Sequence, residues 1–451
     1  MANAATARAF QYGLGIFALT ALIGLANAIK IFGTIDQNTL LTHLHSGTLG
    51  WITMGVFGIA VALFARNGSA VGPNVTLSAL ATAAYVLAFW SGNFIARAVF
   101  GLVMLATIFG WWAWVVYRAQ AMGFGRLTVA QLSILLGLTT LVIGSTVGVI
   151  LQVLFATNNV NEQNGVLIGV HASAQVGGYL VLVAAGIAEW HLSGETRTTA
   201  GRVQAVLLFL AGLLLALGIL LNVTPALLLS NVFQTVAIVM VALRVGRRAF
   251  GISWGAPTGA RHEAIAVGWL VVALVLFIAL TQQLIAAQGD NSKIPPGLFI
   301  ALDHTMFIGV MTNVLFGAVL ALGAPRTWPW ADHVIFWGAT LERLRSSWSC
   351  SPWDPALARA PSGTRSRSPR RSWVWRCSSG SSPSPCGSRA RRPWRPHPRG
   401  PNGILDGRSK GRPFLFHRRG RAPLFHRRGR APATPLPTLA SPASGPLRPA
   451  F

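Results

Sequence analysis

Four histidines stand where ionisable side chains are rare. His43 and His45 open an apolar run as His43-Leu44-His45-Ser46-Gly47-Thr48-Leu49-Gly50-Trp51. His171 opens another as His171-Ala172-Ser173-Ala174-Gln175-Val176-Gly177-Gly178-Tyr179, and His304 a third as Asp303-His304-Thr305-Met306-Phe307. Neutral imidazole ligates heme iron, copper or zinc without the cost of burying an anion. Residues i and i+2 lie about 200° apart around a helix. His43 and His45 therefore cannot share one metal from a regular helix, and each is expected to serve a different neighbouring helix. The first two motifs share the pattern H-x-[HS]-x-x-x-x-G-[WY], with Gly50 and Gly178, and Trp51 and Tyr179, in matching places. Small residues beside each site (Ser46, Gly47, Gly50; Ala172, Ala174, Gly177, Gly178; Gly309) leave room for a large flat group, or for close helix packing.

The elements that position these histidines must be membrane helices. The chain has 451 residues, 52% of them hydrophobic and only 11% charged. A soluble chain of this length carries roughly twice that charged fraction. Apolar runs of 18 or more residues, separated by short polar loops, predict an all-α integral membrane bundle of about ten spans. They cover approximately 10–33, 43–65, 74–92, 95–117, 128–155, 166–190, 202–222, 225–246, 264–287 and 297–323. Arg8 ahead of a run ending Ala26-Asn27-Ala28 also has the form of a signal peptide, but the run is long for one and reads as a retained helix.

With the N-terminus inside, eleven Lys and Arg of the spanning region fall on the inner side. Only Lys30, Arg97 and Lys293 fall outside. The positive-inside rule thus predicts a cytoplasmic N-terminus and a bacterial-type inner membrane. The second, sixth and tenth helices then run inward and each carries its His a few residues inside the outer boundary. The interval is four helices.

Arg97 sits at the same level, at the outer start of the fourth helix. It either snorkels to lipid headgroups or neutralises an anionic group of a bound cofactor. The remaining polar groups read as scaffold. Glu189, His191 and Glu195 are expected at the inner interface, with Arg244, Arg247, Arg248, Arg261 and His262 as topology determinants. Gln282 and Gln283 are expected to bond between helices. Trp111, Trp112, Trp114 and Tyr117 read as an aromatic belt, and Asp303 as the only acid well inside a helix.

After Leu341 the sequence changes character. Of 37 basic residues, 23 lie in the 342–451 stretch, against three acids, and all three cysteines fall there. Leu415–Pro423 recurs at once as Leu424–Pro432. Such an Arg/Pro/Ser-rich segment cannot bury enough apolar surface to order itself. An eleventh helix begins at Ala331-Asp332-His333-Val334 and breaks off, the pattern that a frameshift in a GC-rich gene produces. The spanning domain is thus 1–341 and the tail 342–451, and the tail's charge does not argue for nucleic-acid binding by the membrane domain.

His43-x-His45-Ser-Gly-x-Leu-Gly-Trp51 resembles the H-x-H helix of subunit I of the heme–copper oxidase superfamily, in particular cbb-type oxidases and nitric oxide reductases. The resemblance implies one heme on each side of that helix, in a bundle of four-helix units that reaches twelve helices when intact. It implies one or two b-type hemes on His43, His45, His171 and His304, with Arg97 near a propionate. It further implies electron transfer, or reduction of oxygen or nitric oxide, fed by a donor protein or quinol. Copper would lack its adjacent His-His pair. Two other readings are a heme protein that responds to gas or redox state without turnover, and a small-molecule or metal transporter with the histidines as its site.

Overall fold

The computed structural model describes residues 4–349, apart from 32, 34–35, 66–70, 162, 288–292 and 324–328. The chain divides into two units, Met1–Gly363 and Thr364–Phe451. The basic tail beyond 349, like Glu162, Arg66 and Arg326 of the predicted loops, lies outside the described residues.

Helix formation follows from apolar runs that have polar punctuation at their starts. The helices are α1 (Ala4–Ala28), α2 (Gln37–Phe64), α3 (Gly72–Trp90), α4 (Phe94–Met122), α5 (Val129–Ala156) and α6 (Gln163–Ser193). They continue as α7 (Thr199–Leu221), α8 (Thr224–Arg244), α9 (Gly259–Ala286), α10 (Pro296–Leu322) and α11 (Pro329–Ser349). Asp36 caps α2 by accepting from the Thr39 amide, which holds its carboxyl below the usual range. Asn93 caps α4, and Thr128 with Gln131 forms a capping box on α5.

Among the described residues nine helices are long and apolar enough to cross a membrane, and α3 is a shorter apolar helix. Each of these ten overlaps one of the ten segments expected from sequence, with α1, α2 and α9 starting five or six residues earlier. The α11 helix takes up the sequence that starts at Ala331 and runs on to Ser349.

Burial orders the helices by position. In α2, 78% of the most apolar window is buried, against 22% in α1 and 28% in α4. Leu22, Leu80, Leu87, Ile95, Leu102 and Val275 face outward, as an apolar solvent requires. The α2, α6 and α10 helices meet in the interior, each backed by the helix that precedes it in the chain.

Candidate metal-binding site

Three wide turns mark the three meeting helices. The α-helical ladder gives way to π-helix over Ser46–Thr53 in α2, Ala174–Leu180 in α6 and Thr305–Thr312 in α10. π-helical turns are rare, and when they occur they cluster at functional sites. Here each begins within three residues of a histidine. Counted from the first residue of each π segment, His43 and His171 occupy the same place and Leu302 is the third member. His45 and His304 share the next place but one, with Ser173 as its third member. Gly50, Gly178 and Gly309 also fall in register.

The glycine register has a steric reason. A Cβ on Gly50 would lie 2.2 Å from Ile16, one on Gly178 3.1 Å from Thr140, and one on Gly309 3.0 Å from Trp269. Each π-helical glycine therefore lets the preceding helix approach closely. The Trp51 indole donates to Thr312 Oγ1 at 3.2 Å, and the Tyr179 hydroxyl to Thr53 Oγ1 at 3.3 Å. Aromatic and threonine hold equivalent register places in both contacts, so α6 meets α2 as α2 meets α10. The bundle carries an internal repeat about this central trio.

All four imidazoles present themselves alike. Nδ1 of His43 lies 3.0 Å from the Thr20 carbonyl, and Nδ1 of His171 lies 2.7 Å from that of Gly144. Nδ1 of His45 lies 2.8 Å from the Leu41 carbonyl, and Nδ1 of His304 lies 2.9 Å from that of Ile300. A carbonyl only accepts, so Nδ1 carries a proton, and in the neutral imidazole Nε2 keeps its lone pair. No Nε2 of the four bonds to a described residue. This is the tautomer and backbone anchoring of a metal-ligating histidine.

The preceding helices make space for two of these rings. A Cβ on Gly24 would stand 2.9 Å from His43 Cε1, and one on Gly148 would stand 2.8 Å from His171 Cε1. In each case the glycine lies four residues after the carbonyl that anchors the ring. Sequence reasoning missed both glycines, although their spacing of about four helices repeats that of the histidines.

By register, His43 and His304 hold on α2 and α10 the places that His171 and His45 hold on α6 and α2. Among the described residues no three His, Cys, Asp or Glu side chains converge on one point. The third side of the trio, between α6 and α10, carries Ser173 and Leu302 instead of a pair.

Arg97 belongs to the His45 side. His45 stacks on Phe89 with ring centroids 3.8 Å apart, and the Arg97 guanidinium lies 4.8 Å from the same ring. Arg97 is buried and does not snorkel; it donates to Asn38 Oδ1 at 2.6 Å and to the Phe89 carbonyl at 2.8 Å. It ties α4 to the start of α2.

At the opposite end several scaffold readings need correction. Glu189 and Glu263 are fully buried, so Asp303 is not the only acid inside the bundle. Glu189 pairs with Arg244, which also bonds Gln204 and Thr198. His191 pairs with Glu263 at 2.7 Å. Arg261 and His262 are fully buried against Asp332 of α11, and His262 also meets Asn313 at 2.9 Å. A charge inside a membrane bundle survives by such pairing. Sequence placed Arg261 and His262 in a loop because α9 starts five residues earlier than its apolar run. Gln282 and Gln283 are exposed, and Thr281 makes the interhelical bond, to Asn231. Trp111 is buried on Phe57 and donates to Ser78, so it is not part of a belt. Glu195, Arg247 and Arg248 are exposed as expected.

Comparison with family models, curated proteins and solved structures finds no match to this chain.

Proposed function

We propose that the chain is a multi-pass membrane protein in which His43 and His304 would hold heme b on one side of α2 and His45 and His171 would hold it on the other. The supporting observation is four imidazoles at matching register places, each with Nδ1 anchored on a backbone carbonyl and Nε2 without a bond to any described residue. Two ligands per site are too few for a structural zinc centre, which takes four. They suit iron whose remaining ligands come from a porphyrin. Heme, when bound, would supply a one-electron couple there. The protein's part is to fix ring orientation, exclude water and place Arg97 near the His45 side, where a propionate would meet a cation.

The reaction class is electron transfer, or reduction of oxygen or nitric oxide, as in a divergent relative of heme–copper oxidase subunit I. Two imidazoles at a site would favour electron transfer, or a redox- and gas-responsive role, over turnover. By the charge bias of the loops, the histidine end would lie outside a bacterial inner membrane, where a donor protein or quinol would reach it.

Reduced-minus-oxidised spectra of the purified protein test this. A b-type alpha band is expected, with one component lost in both His43→Ala and His304→Ala and the other in both His45→Ala and His171→Ala. Absence of the band, or zinc or copper without heme, refutes the proposal.

A further inference from the structure

Two loops at the end of the bundle opposite the histidines carry a repeated motif that has no part in heme binding. Phe124-Gly125 follows α4 and Phe250-Gly251 follows α8, four helices apart, as the histidine helices are. Each pair sits in a 3-10 turn, Phe124–Arg126 in one loop and Gly246–Gly251 in the other. Buried neighbours fix both turns: Leu127 directly follows the first, and Val245 directly precedes the second. The start of α7 joins the two loops on one face. Arg202 donates to the carbonyls of Gly125 and Leu127, and a Cβ on Gly201 would lie 2.7 Å from the Arg244 guanidinium at the end of α8.

Both phenylalanines point out of the protein. Phe250 is 94% exposed and Phe124 is 51% exposed. Seven residues before each stands another outward side chain, Tyr117 on α4 and Leu243 on α8, both 66% exposed. Each phenylalanine therefore continues an apolar strip that its helix turns toward lipid. Exposed arginines accompany them, Arg126 in the first turn and Arg247 and Arg248 in the second. None of these three guanidinium groups bonds or ion-pairs with a described residue, whereas Arg202, Arg244 and Arg261 at the same end are all engaged. An aromatic ring beside a free cation, at the edge of an apolar belt, suits the headgroup layer of an anionic leaflet.

We propose that the two turns are paired binding sites for anionic phospholipid, with the arginines on the headgroup phosphate and the phenylalanine among the upper acyl carbons. The continuity of each ring with a lipid-facing strip favours a phospholipid over a soluble acidic protein, which has no use for apolar surface inside the bilayer. The two sites hold related positions in the internal repeat, so they would seat both repeats on one leaflet in the same way. They lie away from the histidines and do not depend on heme.

Photoactivatable phosphatidylglycerol is the probe, with the matching phosphatidylcholine as its neutral control. Each is placed in bilayers that hold the full chain, and labelled peptides are mapped by mass. Phosphatidylglycerol is expected to label the 117–126 and 243–251 stretches more strongly than phosphatidylcholine does. Arg126→Gln is expected to lower that preference about fivefold at the first stretch alone, the factor that one basic residue near an anionic surface contributes. Joint Arg247→Gln and Arg248→Gln substitution is expected to lower it at the second stretch alone, by a larger factor. Each loop is the control for the other, so the basic tail common to all variants does not enter the comparison. Arg8→Gln, an exposed site at the start of α1 outside both turns, is expected to change neither. Equal labelling by the two lipids, or losses that do not follow the substituted loop, overturns the proposal. Displacement of the label by inorganic phosphate would make the ligand a free anion, and displacement by poly-glutamate an acidic protein; either result also overturns it.

Discussion

The chemistry of the four histidines is set by the atom each one leaves free. Nδ1 is committed to a carbonyl in every case, and Nε2 is the nitrogen that remains. The glycines opposite the rings make a sharp prediction. Gly24→Ala places a methyl 2.9 Å from His43, and Gly148→Ala places one 2.8 Å from His171. Overpacking of this kind typically costs about 1–3 kcal/mol, and here the imidazole is the neighbour that must move. Gly24→Ala is expected to shift the midpoint potential and alpha band of the His43–His304 component and leave the other unchanged. Gly148→Ala is expected to do the reverse. Equal effects on both components in redox titration would mean that the glycines serve packing alone.

At the scale of elements, the π-helical segments are what place the trio in register. A wide turn lets a glycine face the preceding helix while the aromatic that follows it reaches the next member of the trio. The hydroxyls that receive these aromatics are satisfied by the same turns: Thr53 donates to Thr48 O and Thr312 to Phe307 O, each five residues back. An interhelical bond in a membrane bundle averages about 0.6 kcal/mol, with a maximum near 1.7. Thr312→Val and Tyr179→Phe are each expected to lower unfolding stability in detergent by an amount within that range. They sit on different contacts, so a double variant is expected to be additive. Strong non-additivity would show that the two contacts act as one unit.

Over the whole molecule the two ends of the bundle differ in kind. The histidine end holds imidazoles whose Nε2 bonds to no described residue, and the other end holds paired acids and bases. The Arg261–Asp332 pair joins α9 to α11, with His262 at 3.4 Å from the same carboxylate. Removing one member of a buried pair strands the other, at about 3–5 kcal/mol, whereas replacing both with apolar groups is often neutral. Asp332→Asn is expected to destabilise the protein and expose α11 to protease. Joint replacement by Arg261→Met and Asp332→Leu is expected to recover most of the loss. If the single substitution is silent in a detergent unfolding assay, the pair does not secure α11.

The sequence by itself determined the class of protein, the ten apolar segments and the four histidines, because hydropathy and an i, i+2 pair are local properties of the chain. It also implied that His43 and His45 serve opposite sides, since helical geometry fixes that angle whatever surrounds the helix. Which helices meet was decided only by tertiary packing, which brings α2 against α10 through Trp51 and Thr312 and α6 against α2 through Tyr179 and Thr53. The π-helical turns were not legible either, since small and aromatic residues at those places are equally at home in an α-helix. The buried ion pairs were hidden for a different reason. Arg261, His262 and Glu263 look like loop residues in an apolar scan, and only the docking of α6, α10 and α11 supplies the partners that let them enter the interior. His43 and His45 thus announced a site in the sequence, and the register of α2, α6 and α10 gave it two filled sides and one empty of histidine.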